Sequence, residues 1–391
     1  MNDFSHVYNR KISHSLKWDQ LQTVFNTDDV LPMWVADMDF KAPSVVNKAI
    51  EKRAKHGFYG YTVINDELKQ KVSDWVSNQH NWSTQIDSLI FSPGVIPSIN
   101  SAIEVFTNPG DKILIQTPVY TPFFNLIKSN NREIIEQELV KQDNKYEINF
   151  ADFEKKIKSG VKVFILCSPH NPVGRVWRKD ELEKMAEICL ANDVLIFADE
   201  IHADLTLGGH KHIPIASLSK EVSNKTITFM SPTKTFNLAG LQISYIIAEN
   251  KRFNAKLVAE LNRQGMNMMN TFGVVALDAV YPDAKPWLSD LLKVVEDNKN
   301  YVVERLERET PLKVIDAEGT YLLWIDCEAL GLSEEKLNDF FIKEAKVGLN
   351  RGSSYGKPGN QFMRMNIACP KELITEGTDR IINAINKKIT S

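Results

Sequence analysis

Lys234 sits in the stretch Ser231-Pro232-Thr233-Lys234-Thr235-Phe236-Asn237-Leu238-Ala239-Gly240, and the residue types there define a chemistry. A primary amine can form an imine with an aldehyde. A serine hydroxyl one helical turn before the lysine can face the same side and bind a phosphate. The glycine allows close backbone packing. An aldehyde that carries a phosphate, pyridoxal phosphate, suits both groups. An exposed lysine after a Ser-Pro turn would show the same letters, so the reading depends on what else the chain brings to this place.

The elements around Lys234 are those of an α/β domain. Apolar runs at Leu89-Ile90-Phe91, 112–116, 161–166, 194–198 and 226–230 predict short strands, and 98–106 and 179–191 predict helices between them. Such alternation implies a largely parallel, buried sheet. Earlier in the chain, Ser44 is expected to cap a helix through Lys55, and a second helix covers about 66–79. After Ser289 a charged helix runs toward Glu309, followed by alternating strands at 321–326 and 362–368. The expected organisation is an N-terminal segment, 1–45, joined to a smaller α+β domain, 289–391, with a large α/β domain at 46–288.

Ligands of open α/β sheets bind beyond the carboxyl ends of the strands, and four candidates stand there. Gly94 and Val95, between a strand and a helix, can offer backbone N–H groups to a phosphate; a plain strand-to-helix turn is the alternative. Tyr120, in Thr117-Pro118-Val119-Tyr120, can lie against a flat heteroaromatic ring or be a half-buried turn residue. Asn171, in Ser168-Pro169-His170-Asn171-Pro172, can donate to a ring oxygen or simply start a turn. Asp199 ends an apolar strand; its carboxylate can keep a pyridine nitrogen protonated or cap the next helix. His202 lies one turn further and can face the same ring. A fifth candidate, Arg364, lies inside the apolar stretch Phe362-Met363-Arg364-Met365-Asn366. Its planar fork matches an amino-acid carboxylate, and a structural ion pair is the alternative.

Composition narrows the classes. The 391 residues are 43% hydrophobic and 25% charged, which suits a soluble globular protein. A net charge of −3 gives no basic pull toward nucleic acid or an anionic membrane. Cys167, Cys189, Cys327 and Cys369 form no Cys-x-x-Cys pair, so a zinc knuckle or disulfide framework is not expected. The start, Met-Asn-Asp-Phe-Ser-His, has no basic-then-apolar signal pattern, and no apolar run reaches spanning length. A cytoplasmic protein is expected.

Together these motifs resemble the fold-type I pyridoxal-phosphate enzymes of the aspartate aminotransferase superfamily, over nearly the whole chain and in the same order. The likeness is greatest to its cystathionine β-lyase branch, of the MalY/PatB type. It is carried by Arg10 with Ser15-Leu16-Lys17-Trp18-Asp19, by Pro32-Met33-Trp34-Val35-Ala36-Asp37-Met38-Asp39-Phe40, and by Tyr59-Gly60-Tyr61-Thr62. Asp199-Glu200-Ile201-His202-Ala203-Asp204-Leu205 and Ala239-Gly240-Leu241-Gln242 complete it. The resemblance implies that Lys234 holds pyridoxal phosphate covalently, Asp199 pairs with its ring nitrogen, Asn171 bonds its ring oxygen and Tyr120 stacks on it. Gly94, Val95 and Ser231 would bind the phosphate. Tyr61 would reach the phosphate of a neighbouring subunit, which implies a homodimer with shared sites. Arg364 would hold the substrate carboxylate, and Trp34, Val35 and Ala36 would line the entrance. His202 and Gln242 depart from the tyrosine and phosphate-binding arginine of many aminotransferases.

The implied activity is α,β-elimination of S-substituted L-cysteines such as L-cystathionine. An aminotransferase on the same scaffold shares every step through proton abstraction. A metal-assisted hydrolase built on Asp199, His202, His210 and His212 is a further alternative, although the spacing fits no standard zinc motif and solvated loop histidines are expected. A non-catalytic role in binding a regulatory protein is another.

Overall fold

Short apolar runs too brief to bury themselves pair side by side. In a computed structural model that describes residues 3–390, seven strands form one sheet: β1 (Leu89–Ser92), β2 (Lys112–Thr117), β3 (Glu133–Glu138), β4 (Val161–Cys167), β5 (Leu195–Asp199), β6 (Thr226–Met230) and β7 (Ser244–Ile247). Their spatial order is β1-β7-β6-β5-β4-β2-β3. β7 is antiparallel to β1 and β6, and all other neighbours are parallel. The two-residue period of a strand sends alternate side chains to opposite faces. Phe164, Leu166, Ile196 and Ala198 join one core with Leu182, Met185 and Cys189 of helix Lys179–Ala191. Val163, Ile165, Cys167 and Phe197 join another with Ile99 and Ile103 of helix Val95–Phe106. That two-sided burial explains why these strands are mostly apolar on both faces.

Local chemistry moved some expected boundaries. Helix Val95–Phe106 starts three residues before Ser98, with Gly94 at its N-cap position and Pro97 inside the first turn, where a missing N–H costs nothing. Ser44 does not cap its helix: Pro43 takes the cap position and Ser44 is the first helical residue of Ser44–His56. β3 and β7 escaped notice because one is a charge-bearing edge strand and the other is short and follows irregular chain.

A second sheet combines β8 (Lys313–Val314), β9 (Leu322–Asp326), β10 (Asn350–Arg351) and β11 (Phe362–Asn366) in the antiparallel order β8-β9-β11-β10. Helices Lys285–Glu309 and Lys371–Thr390 contribute Val302, Leu306, Ile381 and Ile385 to the core beneath it. The first of these helices runs through the expected 288/289 boundary. The N-terminal segment reaches this part of the molecule: Leu31–Pro32 pairs in parallel with Val347–Gly348.

Residues 33–40 then form a strap that is hydrogen-bonded both to the second sheet at Asn366 and to Lys234 and Asn237 after β6. Its side chains are anchored at the N-terminal end of the chain. Buried Lys17 donates to Asp39 (2.6 Å), Trp18 Nε1 donates to the same carboxylate (2.8 Å), and Arg10 bridges Asp37 and Asp39 at 2.7 Å each. Two cations and an indole N–H around one buried carboxylate hold Asp39 below the usual carboxylate range despite its burial. Among the described residues no helix is long and apolar enough to cross a membrane, and all four cysteines are buried and unbridged.

Candidate active site

The carboxyl ends of β4, β5 and β6 and the loop after β2 open on one cavity of about 200 Å³. Gly94, Val95, Tyr120, Asn171, Asp199, His202, Lys234 and Ala36 all line it. A larger surface cleft, about 750 Å³, lies elsewhere, around Trp82, Ser219 and Asn254, and none of the expected site residues lines it.

The cavity brings an acid and a base into the same pocket. Asp199 is 4% exposed and its carboxylate accepts one hydrogen bond, from the Ile201 amide (3.2 Å). Burial raises its pKa to about 7; that single bond and the Lys234 charge lower it, while neighbouring Glu200 adds to the rise. Burial has the opposite effect on the amine. Lys234 is pushed down to about 8 by burial and then by the Arg364 charge, against Asp37 and Asp199. His202 is held neutral, down to about 3, by burial and the same two cations, and its Nδ1 has no partner. A buried carboxylate with unused capacity beside an unpartnered imidazole nitrogen is an open position for a protonated nitrogen heterocycle. Above it, Tyr120 presents a half-buried ring. At the other end Gly94, Val95 and Ile96 form a helix start, where free N–H groups and the helix dipole favour an anion.

Arg364 lies in β11, opposite Trp324 of β9 and Asn350 of β10. It is 4% exposed and has no carboxylate partner among the described residues. It donates to Asn171 Oδ1 (3.1 Å), Asn350 Oδ1 (2.8 Å) and the Trp34 carbonyl (2.8 Å), and its Nε is buried without a partner. A structural ion pair is therefore not what keeps this cation inside. A buried guanidinium held only by neutral acceptors is poised for an anion. Asn171 links it to the cavity: its carbonyl oxygen takes the guanidinium, which leaves its NH₂ group facing the pocket.

Two expected residues, Ser231 and Trp34, are placed differently from the sequence reading. Ser231 does not line the cavity. It is the N-cap of the turn Pro232–Thr235, accepts from the Thr233 amide, and donates to the Ile243 carbonyl (2.7 Å). The turn is wound so that the Thr233 residue, not Ser231, meets the pocket beside Lys234. Trp34 turns its indole away, donating to the Lys17 carbonyl and meeting Phe25 edge-on, so that only its carbonyl serves the site. Tyr61, expected to serve a neighbouring subunit, is 92% exposed, in a loop that does not line this chain's own cavity. Nor do the histidines converge: His210 is exposed, and His212 is not a solvated loop residue but is buried against Glu200 (3.0 Å). Among the described residues no three His, Cys, Asp or Glu side chains form a metal-sized group.

Sequence reasoning missed Thr233, Ile201, Asn350 and Asn366. Asn366 gave a signal, as a polar residue in a strand where both faces are buried. Gln242, noted only as a departure, lines the cavity from a left-handed position (φ +50°).

Comparison with known proteins places this geometry. The family model for aminotransferase class I and II matches residues 29–381. Cystathionine beta-lyase PatB of Bacillus subtilis (strain 168) is 42% identical over 96% of this chain and 97% of its own. Protein MalY of Escherichia coli (strain K12) is 32% identical over 98% of this chain and 99% of its own. The crystal structure of cystalysin from Treponema denticola, which contains a pyridoxal 5'-phosphate cofactor, superposes with a TM-score of 0.96 at 37% identity, covering 99% of this chain and 100% of that one. An acid and a lysine at the strand ends of an aminotransferase-like fold, with an arginine on a strand of the second sheet, matched along nearly the whole chain, leave one conclusion: this chain belongs to the aminotransferase class I and II family, in the branch of its cystathionine β-lyases.

Proposed function

We propose that the chain is a pyridoxal-phosphate-dependent carbon–sulfur β-lyase that eliminates the thiol from L-cystathionine or another S-substituted L-cysteine, with pyruvate and ammonia as the other products. The observation that carries this reading is that Lys234 and Asp199 line one pocket, with the buried Arg364 joined to it through Asn171 and without a carboxylate partner among the described residues.

The residues fit the cofactor. Lys234 is the amine for its aldehyde, Asp199 the counter-charge for its ring nitrogen, and Asn171 NH₂ a donor for its ring oxygen. The Tyr120 ring is a face for stacking. Gly94 and Val95 amides, with Thr233 and Gln242 nearby, form the phosphate end. Ser231 acts by shaping the turn that sets Thr233 and Lys234. When bound, pyridoxal phosphate supplies a protonated ring that accepts the electron pair left at Cα when a proton is removed. The protein supplies the rest. Arg364 holds the substrate carboxylate and thereby fixes the direction of the Cα–H bond. Lys234, once its amine is free, takes that proton at Nζ; its lowered pKa keeps a usable neutral fraction near neutrality. The same Nζ can return the proton to the departing sulfur.

The rest of the reading is architectural. The segment 1–45 works with 289–391 as a small domain that carries Arg364, and 46–288 is the cofactor domain. The protein acts as a homodimer with shared sites. In support, the loop bearing Tyr61 (92% exposed) also exposes Phe58 (72%) and Val63 (81%), beside Met268 (59%), an apolar patch that a second copy would cover. Tyr61 would then reach the partner's phosphate site. Four buried, unbridged thiols support a cytoplasmic location.

The test is incubation with pyridoxal phosphate and L-cystathionine without a keto acid. Equal amounts of pyruvate and free thiol, both lost in Lys234→Ala, support the lyase. Amino transfer only after a keto acid is added overturns it in favour of an aminotransferase.

A further inference from the structure

One backbone oxygen at the site accepts two donors. Ala36 O takes Lys234 Nζ at 2.7 Å and the Tyr321 hydroxyl at 3.0 Å. A carbonyl oxygen has two lone pairs, so these two donors occupy it fully. The peptide cannot turn away, because its neighbours are pinned on both sides. Val35 O and Asp37 O both accept from Asn366 Nδ2 (2.5 and 2.6 Å), Trp34 O accepts from Arg364, and Met38 O from Arg10 and Asn237. Tyr321 is equally fixed. It is 1% exposed, meets His202 edge-on at 6.2 Å, and its carbonyl accepts from the Ile367 amide. Tyr321 does not itself line the cavity; it reaches Lys234 only through Ala36.

We propose that Tyr321 is a positioning residue of the lyase reaction, which by its hydrogen bond to the Ala36 carbonyl sets where, and how tightly, the Lys234 amine is held whenever that amine is free of the cofactor. This rests on Lys234 being the cofactor lysine. A free amine has to be parked near Cα without being locked as an ammonium. An oxygen that already accepts from a phenol is a weaker acceptor for an ammonium than one with both lone pairs available. Removing the Tyr321 hydroxyl makes Ala36 O a stronger partner for the charged amine and raises the pH at which the proton leaves. The other groups facing the amine are Arg364 from β11, Asp37 from the strap and Asp199 from the end of β5, with His202 neutral beside them. Tyr321→Phe changes none of these and keeps the ring in place.

The experiment uses cofactor-free protein: wild type, Tyr321→Phe, and Tyr146→Phe as a control that removes a comparably buried hydroxyl outside the site. Each is pulse-labelled with acetic anhydride across about pH 6 to 10, the range in which a lowered lysine titrates, and modification of Lys234 is followed by peptide mass spectrometry. The expected result for Tyr321→Phe is a midpoint higher by about half a pH unit or more, with labelling near neutrality about threefold slower, while Tyr146→Phe overlies wild type. A Tyr321→Phe profile that overlies wild type or moves down, or an equal rise in both variants, overturns the proposal. Borohydride reduction of the loaded wild-type protein separates the two levels of inference. Cofactor fixed to a lysine other than Lys234 overturns the functional reading and this inference together. Cofactor on Lys234 with unshifted labelling overturns this inference alone.

Discussion

At the residue scale, burial acts on Asp199 and Lys234 in opposite directions and leaves both able to exchange a proton near neutrality. The acid gives a prediction with a definite sign. In the cofactor-free protein the native state keeps the Asp199 proton up to about pH 7, whereas the unfolded chain releases it near pH 4. Its contribution to stability is therefore fully present below about pH 4 and lost as pH rises toward 7. Cofactor-free Asp199→Asn has no such loss, so its stability relative to wild type should climb across that window, by on the order of a few kcal/mol. Urea unfolding of both proteins between pH 4 and 8 checks this. His202 and His170, held down to about 3 and 4, have the opposite dependence, losing stability as pH falls below the usual histidine range; they cancel in the comparison. Arg364 makes a second prediction. Arg364→Lys keeps the charge but loses the planar fork. Steady-state kinetics should show KM for the amino-acid substrate up about 100-fold, the cost of truncating a desolvated ion pair, with a smaller effect on kcat.

At the element scale, the strap 33–40 joins the carboxylate-binding end of the site to the lysine end. Asn366 secures it with two bonds from a single amide group. Asn366→Ala would leave the Val35 and Asp37 carbonyls unpaired at a cost of about 2–4 kcal/mol, lowering the melting temperature and kcat together. Gly174 is the counterpart on the other side. It has φ +72°, an added Cβ would sit 2.9 Å from Ala317 Cα, and its carbonyl accepts from both Glu318 and Gly319. Gly174→Ala should therefore destabilise the protein by about 2 kcal/mol or more in chemical unfolding, and loosen the loop that carries Asn171. Strands and helices of this kind were legible because apolar period and length declare them. The strap was legible only as a string of unusual letters, since what it does is offer carbonyls, and every residue has one. The same holds for Ser231. Its spacing from Lys234 suggested a shared face, but a serine before a proline caps the turn, and its hydroxyl is spent on the backbone.

At the scale of the whole molecule, the exposed Tyr61 loop makes the proposed dimer testable by complementation. Lys234→Ala and Tyr61→Ala homodimers should each be impaired. Mixed and re-equilibrated, they should regain activity, because each mixed dimer contains one site with a native Lys234 and a native Tyr61 from the other copy. Recovery that tracks dimer formation in sedimentation supports shared sites; additive activities argue for sites complete within one chain.

The candidate groups of this site were determined by the sequence alone: an amine, an acid, an amide and an aromatic at or after strand ends, with an arginine among apolar residues. Those groups come together because backbone pairing puts successive parallel strands side by side and their carboxyl ends at one edge. Only the tertiary structure decided which donors those groups keep and which they leave open. Among the described residues Arg364 has no carboxylate partner, Asp199 accepts one bond, and Ala36 accepts two, because residues far apart in the chain fill or fail to fill each position. Hydrogen-bond satisfaction is a property of a folded neighbourhood, and no local pattern of letters encodes it.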